Sequence, residues 1–412
     1  MDLAQGHPHP PGYPALLALG ALARAVTGWS PARALSLVSA LSFALTAAVI
    51  VRLVARRAQD RGAMALALVA WCASTLAAVQ SARPLSDMLG CALAWCVAAV
   101  CVEGGSLTLA AVLLGCLCGA RLSVVPFALP AVLLRAEGWG ARARALSIAG
   151  AVALALHAPL LLREGVGDFI ARVVGHAGGH FTRYGGSIGT QPDVGARALA
   201  LAHGLWAHAL GGWWRDRGWW LIPWSLAALW ALGRGLREKG DRTLAVCAGV
   251  YLAWAFLGQN VRWQPRHLLP LAPFLALGIA RGVTGRARIA VALCGLVACG
   301  ESVLLMRAQR DVPPPTLALA RWADAHLDPR GDVLATGQLA TWLRWRAPRQ
   351  RVIEVDRARE AVAVARSHGL ALYVTSELDG AGALPGRVVA RAAQDRYVTT
   401  TLYDLALRRV YW

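Results

Sequence analysis

The sequence predicts a polytopic α-helical membrane protein with a small α/β domain at its carboxyl end. The chain of 412 residues is 57% hydrophobic and 16% charged, whereas soluble domains carry about 25% charged residues. Its mean hydropathy is +0.48. The apolar residues come in repeated stretches of the length that crosses a membrane, for which a helix needs about 20 residues. Together these observations exclude an ordinary soluble fold.

The apolar stretches predict about ten membrane spans. They lie at 33–51, 62–80, 88–103, 105–120, 122–136, 145–163, 217–234, 243–258, 266–282 and 289–306. A less apolar stretch at 12–27 predicts a further helix, packed at the interface or beginning a span. The short pair at 105–120 and 122–136 is also consistent with broken or re-entrant helices.

Clusters of basic residues orient these spans. The clusters are Arg52, Arg56, Arg57 and Arg61; Arg135, Arg142 and Arg144; Arg234, Arg237, Lys239 and Arg242; and Arg281, Arg286 and Arg288. With ten spans all of them fall on one side, which the positive-inside rule assigns to the cytoplasm. We therefore expect a transmembrane domain at 1–306, with outer loops 1–30 and 164–216, and an extracytoplasmic α/β domain at 307–412.

Two features of composition narrow the class of protein further. The net charge is +19, but most arginines lie in short links between apolar runs, so we expect membrane lipids rather than nucleic acid as partners. The nine cysteines all lie in the apolar region, where thiols behave as small hydrophobic groups. Neither a disulfide framework nor a zinc site follows from them.

The outer loop 164–216 leads into a zone rich in tryptophan. Its rings are Trp206, Trp213, Trp214, Trp219, Trp220, Trp224 and Trp230. Indole rings favour the headgroup layer, so residues 196–212 are predicted to form a helix along the outer interface. Packing in the core is the alternative for each ring.

The chain after Pro313 has the composition of a soluble domain. Strand-like runs at 332–336, 351–355 and 371–375 alternate with predicted helices at 316–327, 338–346 and 357–368. The segment 386–412 is predicted to form a hairpin. Alternating strands and helices indicate an α/β unit of about 100 residues.

Polar groups beside apolar helices are costly to bury and are therefore functional candidates. The first set is the proline-rich segment 6–14, which contains His7, His9 and Tyr13, with Asp2 upstream. Its prolines favour an extended backbone, which would hold both imidazoles near the membrane surface. The alternative is a stiff loop without chemistry.

Asp87 and Arg121 are two further candidates. Asp87 follows Ser86 at the outer end of a span, where a simple helix cap is the alternative. Arg121 lies between two short apolar runs. It is predicted either to extend its stem to the interface or to bind an anionic headgroup.

The outer loop contributes His176, His180 and Arg183. Histidines four residues apart chelate metals on a helix, but Gly178 and Gly179 argue against a helix here. We expect instead a glycine-rich loop that closes over a substrate. A divalent cation stays open as a cofactor.

Arg262, Arg266 and His267 precede a span on the outer side. Guanidinium groups bind phosphate oxygens in pairs, so this set suits a phosphate group. Anchoring at the interface is the alternative for Arg266 and His267.

Together these motifs resemble the GT-C-fold glycosyltransferases, membrane enzymes that depend on polyprenyl-phosphate sugars and include protein O-mannosyltransferases and aminoarabinose transferases. The matching residues are Asp2 with the segment 7–14, Ser86-Asp87, Gly119-Ala120-Arg121, and Arg266-His267 with the apolar, proline-containing run that follows. Such enzymes begin with a transmembrane helix ahead of the first outer loop. Met1 opens inside that loop here, so we expect the first helix to be missing and the native count to be eleven.

The resemblance implies an inverting transfer of a sugar from a polyprenyl-phosphate donor to an acceptor hydroxyl on a lipid, glycan or protein, at the outer face of a bacterial inner membrane. Asp2, or a carboxylate upstream of it, would be the general base, with Asp87 as second choice. Substrate-binding residues would be His7, His9, Tyr13, Arg121, His180, Arg183, Arg262, Arg266 and His267.

The alternative function is a non-catalytic membrane transporter or a scaffold for lipid or polysaccharide export. A transport pathway is not indicated, since no acidic residue lies at the middle of a predicted span and no inverted repeat is visible. A polysaccharide polymerase or ligase that uses a lipid-diphosphate donor is a nearer alternative.

Overall fold

The computed structural model divides into two compact units, Met1–Leu304 and Leu305–Trp412. The residues it describes are 12–58, 60–182, 186–214, 217–238, 240–262, 264–311, 313–337, 339–355, 357–393 and 404–411. The first unit is a bundle of apolar helices, and the second is a sheet covered by helices. This agrees with the predicted fold class.

The helices of the bundle include one in every predicted apolar stretch. They are α1 (Pro14–Thr27), α2 (Pro31–Ala58), α3 (Arg61–Ala73), α4 (Thr75–Ser81), α5 (Ser86–Val102), α6 (Leu107–Ala120), α7 (Val125–Arg135), α8 (Gly138–Glu164), α9 (Val166–Thr182), α10 (Val194–His203), α11 (Ile222–Gly235), α12 (Arg242–Gly258), α13 (Ala272–Gly282) and α14 (Ala287–Asp311). Tighter 3₁₀ segments at Leu122–Val124, Trp219–Leu221 and Pro265–Leu271 precede α7, α11 and α13, and a π-helical turn at Gly204–Ala209 follows α10.

The spans differ in how continuous they are. Among the described residues, three helices have the length and apolar character to cross a membrane alone: Pro31–Arg57, Gly138–Glu164 and Ala287–Ala308. The stretch predicted at 62–80 is broken, because α3 and α4 meet at an angle of 71°. Ser74 has extended backbone at this break and caps α4 by accepting a hydrogen bond from Ala77 N. The number of complete spans stays a prediction.

The outer loop 164–216 is largely helical, and the expectation that Gly178 and Gly179 break it was wrong. Helix α9 runs from Val166 to Thr182 through both glycines. Each glycine costs a helix only about 1 kcal/mol, and this cost does not end the helix here. The outer loop predicted at 1–30 likewise contains α1. A helix is present within 196–212 as predicted, although it ends in the π-helical turn.

The middle of the bundle is organised around stacked aromatic rings. Trp95 on α5 lies 5.1 Å from the Phe127 ring on α7, and Phe127 meets Tyr251 on α12 edge-on at 6.0 Å. All three side chains are fully buried. This stack joins three helices immediately below the segment Pro265–Leu271.

Two helices approach closely through glycines. A side chain at Gly235 on α11 would overlap the carbonyl oxygen of Gly278 on α13, and one at Gly282 would overlap the Ala231 carbonyl. Small residues allow membrane helices to pack backbone against backbone. The α11–α13 contact therefore depends on these positions remaining glycine.

The second unit contains helices on both faces of a five-stranded mixed sheet. Its elements are α15 (Pro315–His326), β1 (Asp332–Thr336), α16 (Ala340–Arg346), β2 (Val352–Glu354), α17 (Ala358–Ser367), β3 (Ala371–Thr375), β4 (Gly386–Ala393) and β5 (Asp404–Val410). The strand order is β2-β1-β3-β5-β4, with β1, β2 and β3 parallel and β5 antiparallel to β3 and β4. Alternate residues face opposite sides, so Val333 packs with α17 and Leu334 with α15 and α16.

Glycine packing between α11 and α13 gives a stability prediction. Gly235→Ala forces the helices apart and is expected to lower the free energy of unfolding, titrated with a denaturing detergent, by about 1–3 kcal/mol. Gly233→Ala on the same helix is the matched control, because its added Cβ meets nothing within 4 Å. Equal stability of the two variants would contradict the close approach.

Candidate active site

A buried ion pair joins two of the residues singled out from the sequence. Asp87 lies in the first turn of α5 and is only 3% exposed. Arg121 follows the last residue of α6, with extended backbone. Its Nη2 lies 2.8 Å from Asp87 Oδ1, and its Nη1 donates a hydrogen bond of 2.9 Å to Ser86 Oγ. Arg121 is thus directed into the bundle, so the alternative that it extends to the interface is wrong.

A glycine provides the space for this pair. A Cβ at Gly90, almost one turn along α5 from Asp87, would lie 2.9 Å from the Arg121 Cβ. That distance is shorter than ordinary van der Waals contact, so a larger residue would displace the arginine. The small size of Gly90 therefore allows Arg121 to reach the carboxylate of Asp87.

Asp87 does not cap its helix. Leu85 occupies the N-cap position of α5 and no side chain caps the helix there. Among the described residues, neither carboxylate oxygen of Asp87 accepts a hydrogen bond with proper geometry, although Arg121 neutralises its charge. The capping alternative is therefore wrong, and the carboxylate retains hydrogen-bonding capacity inside the protein.

The segment Pro265–Leu271 holds Arg266 and His267 in a 3₁₀ conformation. Pro265 and Pro270 lie within it and Pro273 follows, and proline disrupts α-helical hydrogen bonding. Two carbonyl oxygens of the segment accept hydrogen bonds from buried side chains of the aromatic stack. Tyr251 Oη donates to His267 O at 2.7 Å, and Trp95 Nε1 donates to Pro270 O at 2.9 Å.

Several cationic groups converge beside the ion pair. The guanidinium groups of Arg121 and Arg266 lie close enough to the His267 imidazole to act on it electrostatically, and His180 lies within the same reach. In the link between α4 and α5, burial lowers the pKa of Arg83 to about 10, and the positive charge of Arg266 adds to this while Asp87 opposes it. Arg83 nevertheless stays protonated at neutral pH. Three guanidinium groups around one carboxylate leave an excess of positive charge.

Some polar atoms of this cluster have no partner within the described part of the chain. Arg266 Nε and His267 Nδ1 are buried without a hydrogen bond there. A buried polar atom without a partner is costly. Both atoms are therefore available to a bound anion or a substrate hydroxyl.

The carboxyl end of α9 is anchored near the same region. The Phe181 ring lies 6.1 Å from Trp254 on α12, whose Nε1 donates to Ser123 O at 2.9 Å, two residues after Arg121. The segment that follows α9 is fixed by the fully buried Arg197. Arg197 donates to Gly186 O at 2.5 Å and to the carbonyl oxygen of Gln259 at 3.0 Å.

The other predicted site residues have different positions. Tyr13 precedes α1 and packs against an apolar cluster that contains Leu89 and Ala120, the neighbours of the ion pair. The Arg262 side chain is exposed, and its role in the site stays a prediction. The remaining predicted residues, Asp2, His7, His9 and Arg183, lie outside the described residues.

The sequence neither predicted nor excluded a divalent cation as a cofactor. His176 and His180 lie on α9 with their Nε2 atoms 3.2 Å apart. Throughout the described ranges, no group of three or more His, Cys, Asp or Glu side chains is arranged to hold a metal.

Sequence reasoning missed Arg83, Gly90 and Tyr251. Arg83 could have been found from its position four residues before Asp87 in the same link. The roles of Gly90 and Tyr251 depend on contacts between distant segments, which leave no local signal. The spacing of the prolines at 265, 270 and 273 could have indicated the 3₁₀ segment.

The buried ion pair predicts a strongly asymmetric response to substitution. Arg121→Ala leaves a buried carboxylate uncompensated and is expected to lower the free energy of unfolding by about 3–5 kcal/mol. Combining Arg121→Gln with Asp87→Asn removes both charges and should restore much of that loss. Denaturing-detergent titration measures all variants.

Arg52→Ala serves as the control for that comparison. Arg52 pairs with Glu103 at 2.7 Å, but its side chain is 72% exposed, and exposed pairs contribute little. If the double variant has no higher free energy of unfolding than Arg121→Ala alone, the two charges are not coupled.

Comparisons with known proteins identify the fold of the chain. No family model and no curated protein matches the sequence. Two crystal structures of ArnT from Cupriavidus metallidurans, in the apo state and bound to undecaprenyl phosphate, match with TM-scores of 0.51 and 0.53. Both are 14% identical, and the matches cover 96% of this chain and 87% of those chains. The chain is therefore a polytopic membrane protein with the GT-C fold, as its resemblance to the GT-C glycosyltransferases implied.

Proposed function

We propose that this protein is a membrane glycosyltransferase that moves a sugar from a polyprenyl-phosphate donor to an acceptor hydroxyl at the outer face of a bacterial inner membrane. The observation that carries the proposal is the excess of guanidinium groups around Asp87 at the first turn of α5. One ArnT structure of the same fold contains undecaprenyl phosphate, the class of lipid that such a cluster suits.

Arg83, Arg121 and Arg266 provide the electrostatics of the reaction. The leaving group is a phosphate ester that gains negative charge as its bond to the sugar breaks. Fixed positive groups that meet this charge lower the barrier, and they act strongly where water is excluded. The 3₁₀ segment holds Arg266 in advance, so little reorganisation is needed.

A carboxylate completes the transfer. The base removes the proton from the acceptor hydroxyl as the oxygen attacks the anomeric carbon. The bond between that carbon and the phosphate oxygen breaks, and the lipid phosphate leaves with the electron pair, which inverts the anomeric configuration. General-base assistance contributes about 10²–10⁴-fold.

Two carboxylates are candidates for this base. Arg121 competes with the acceptor for Asp87, which favours Asp87 as the group that positions Arg121. Asp2 is the first candidate for the base, and Asp87 is the second. The distinction is testable because a positioning role and a proton-accepting role respond differently to substitution.

The remaining sequence candidates have proposed roles in substrate binding. His267 lies beside the cationic cluster and suits contact with the sugar or the phosphate. His180 acts electrostatically on His267 from the end of α9, which suits contact with the sugar. His7, His9, Tyr13, Arg183 and Arg262 retain the substrate-binding roles that the resemblance implies. On the same proposal, residues 307–412 face the periplasm.

The test is sugar transfer by the protein in lipid nanodiscs. Membranes are supplied with a panel of labelled polyprenyl-phosphate sugars, and product formation is followed for Arg266→Ala, Asp2→Asn and Asp87→Asn. Arg266→Ala is expected to lower kcat/KM about 100-fold or more, because a preorganised cation at the leaving group is lost. The variant that removes the base is expected to lose a factor of about 10²–10⁴ in kcat.

Arg52→Ala is the matched control, since it removes an exposed arginine of α2 that pairs with Glu103 at the carboxyl end of α5. It should leave transfer unchanged. The binding of undecaprenyl phosphate provides a readout that does not require the right sugar, and Arg266→Ala should weaken it about tenfold or more. Full transfer and full binding by all three site variants would refute the proposed site.

A further inference from the structure

A second basic site lies at the other end of α5. The candidate active site is at the first turn of this helix, whereas Val102 at its last position lines a separate pocket. The helix has 17 residues, so about 25 Å separate its ends at 1.5 Å per residue. The pocket therefore lies outside the proposed transferase site.

Three arginines line this pocket together with one acid. Arg56 and Arg57 come from the end of α2, Arg281 from the end of α13, and Asp241 from the residue that precedes α12. Since one carboxylate faces three guanidinium groups, the pocket has an excess positive charge. An anion is the ligand that its charge favours.

Two of these arginines make polar contacts at the wall of the pocket. Arg56 Nη1 donates to Val102 O at 3.1 Å, and Arg57 Nη2 lies 3.3 Å from Asp241 Oδ2. Arg281 is partly buried, and the positive charge of Arg57 acts on it. Within the described ranges no hydrogen bond of the Arg281 guanidinium is found. Its N–H groups are therefore available to a ligand in the pocket.

The walls of the pocket indicate what kind of anion fits. Leu53 and Leu244 are almost fully buried and line it beside the arginines, as does Val102. Apolar walls next to guanidinium groups match a molecule that joins a phosphate to a hydrocarbon chain. Basic pockets between membrane helices on the cytoplasmic side bind such headgroups, and the arginine clusters predict that this end of the bundle is cytoplasmic.

We propose that this pocket binds the phosphate diester of an anionic phospholipid headgroup. Arg281 and Arg56 contact the phosphate oxygens, and the acyl chains extend from the pocket into the surrounding bilayer. A free phosphate ion shares the charge but lacks the chain. The lipid is favoured because three of the seven lining residues are apolar and because the pocket lies at the predicted cytoplasmic end of the membrane helices.

The first test measures binding of phosphatidylglycerol to the detergent-solubilised protein by native mass spectrometry. Arg281→Ala is expected to weaken the bound headgroup about tenfold or more, because a charge-assisted pair of hydrogen bonds is lost. Arg286→Ala is the control, since Arg286 is exposed in the adjoining link and does not line the pocket. It should change the Kd by less than twofold.

The second test uses a substitution that is expected to strengthen the binding of phosphatidylglycerol. Asp241 accepts hydrogen bonds from Thr243 N and Leu244 N at the start of α12, and asparagine caps helices about as well. Asp241→Asn therefore keeps the fold and removes the negative charge that competes with a bound anion for the arginines of the pocket. Phosphatidylglycerol should bind about fivefold more tightly.

Asp60→Asn is the matched control for that change. Asp60 caps α3 through Gly62 N and Ala63 N and pairs with Arg288, but does not line the pocket. It should leave the affinity unchanged.

Competition experiments with inorganic phosphate and with zwitterionic phosphatidylcholine test whether the bound anion is a lipid headgroup or a free ion. The proposal expects neither to compete with phosphatidylglycerol at equal concentration. Equal competition by inorganic phosphate would overturn the lipid assignment in favour of a free ion. Unchanged binding of phosphatidylglycerol by both Arg281→Ala and Asp241→Asn would overturn the site itself.

Discussion

A carboxylate and a guanidinium inside an apolar bundle must neutralise each other, because an uncompensated charge costs several kcal/mol there. In this protein Asp87 and Arg121 meet that constraint across two helices. The requirement explains the glycine at position 90, which allows the arginine close to α5. It also explains why α6 ends where it does, since Arg121 leaves helical geometry to turn inward.

The 3₁₀ segment before α13 is the second part of the same arrangement. Prolines prevent an α-helix there, and Tyr251 and Trp95 satisfy the carbonyl groups that the tighter geometry leaves. Long 3₁₀ segments are uncommon and often mark functional positions. Here the segment brings Arg266 and His267 to the ion pair. Two of the three guanidinium groups of the site, those of Arg121 and Arg266, thus come from a helix end and from a 3₁₀ segment.

Much of the fold and part of the site could be predicted from the sequence. Apolar length located the helices, and strand alternation gave the order of strands and helices in the second unit, because both signals are local. Asp87, Arg121, Arg266 and His267 were identified individually, since a charged group next to an apolar run is conspicuous. Their pairing could not be predicted, because it depends on the packing of α5, α6 and the 3₁₀ segment. Helix α9 was missed because two adjacent glycines were expected to end a helix, although each costs it only about 1 kcal/mol.

The most direct measurement is a structure of the protein in a nanodisc with bound undecaprenyl phosphate. We expect the phosphate to lie about 3 Å from the guanidinium of Arg266 or Arg83, at the first turn of α5 beside Asp87. A phosphate seated elsewhere in the bundle, or in the pocket of Arg56 and Arg281 at the other end of α5, would contradict it.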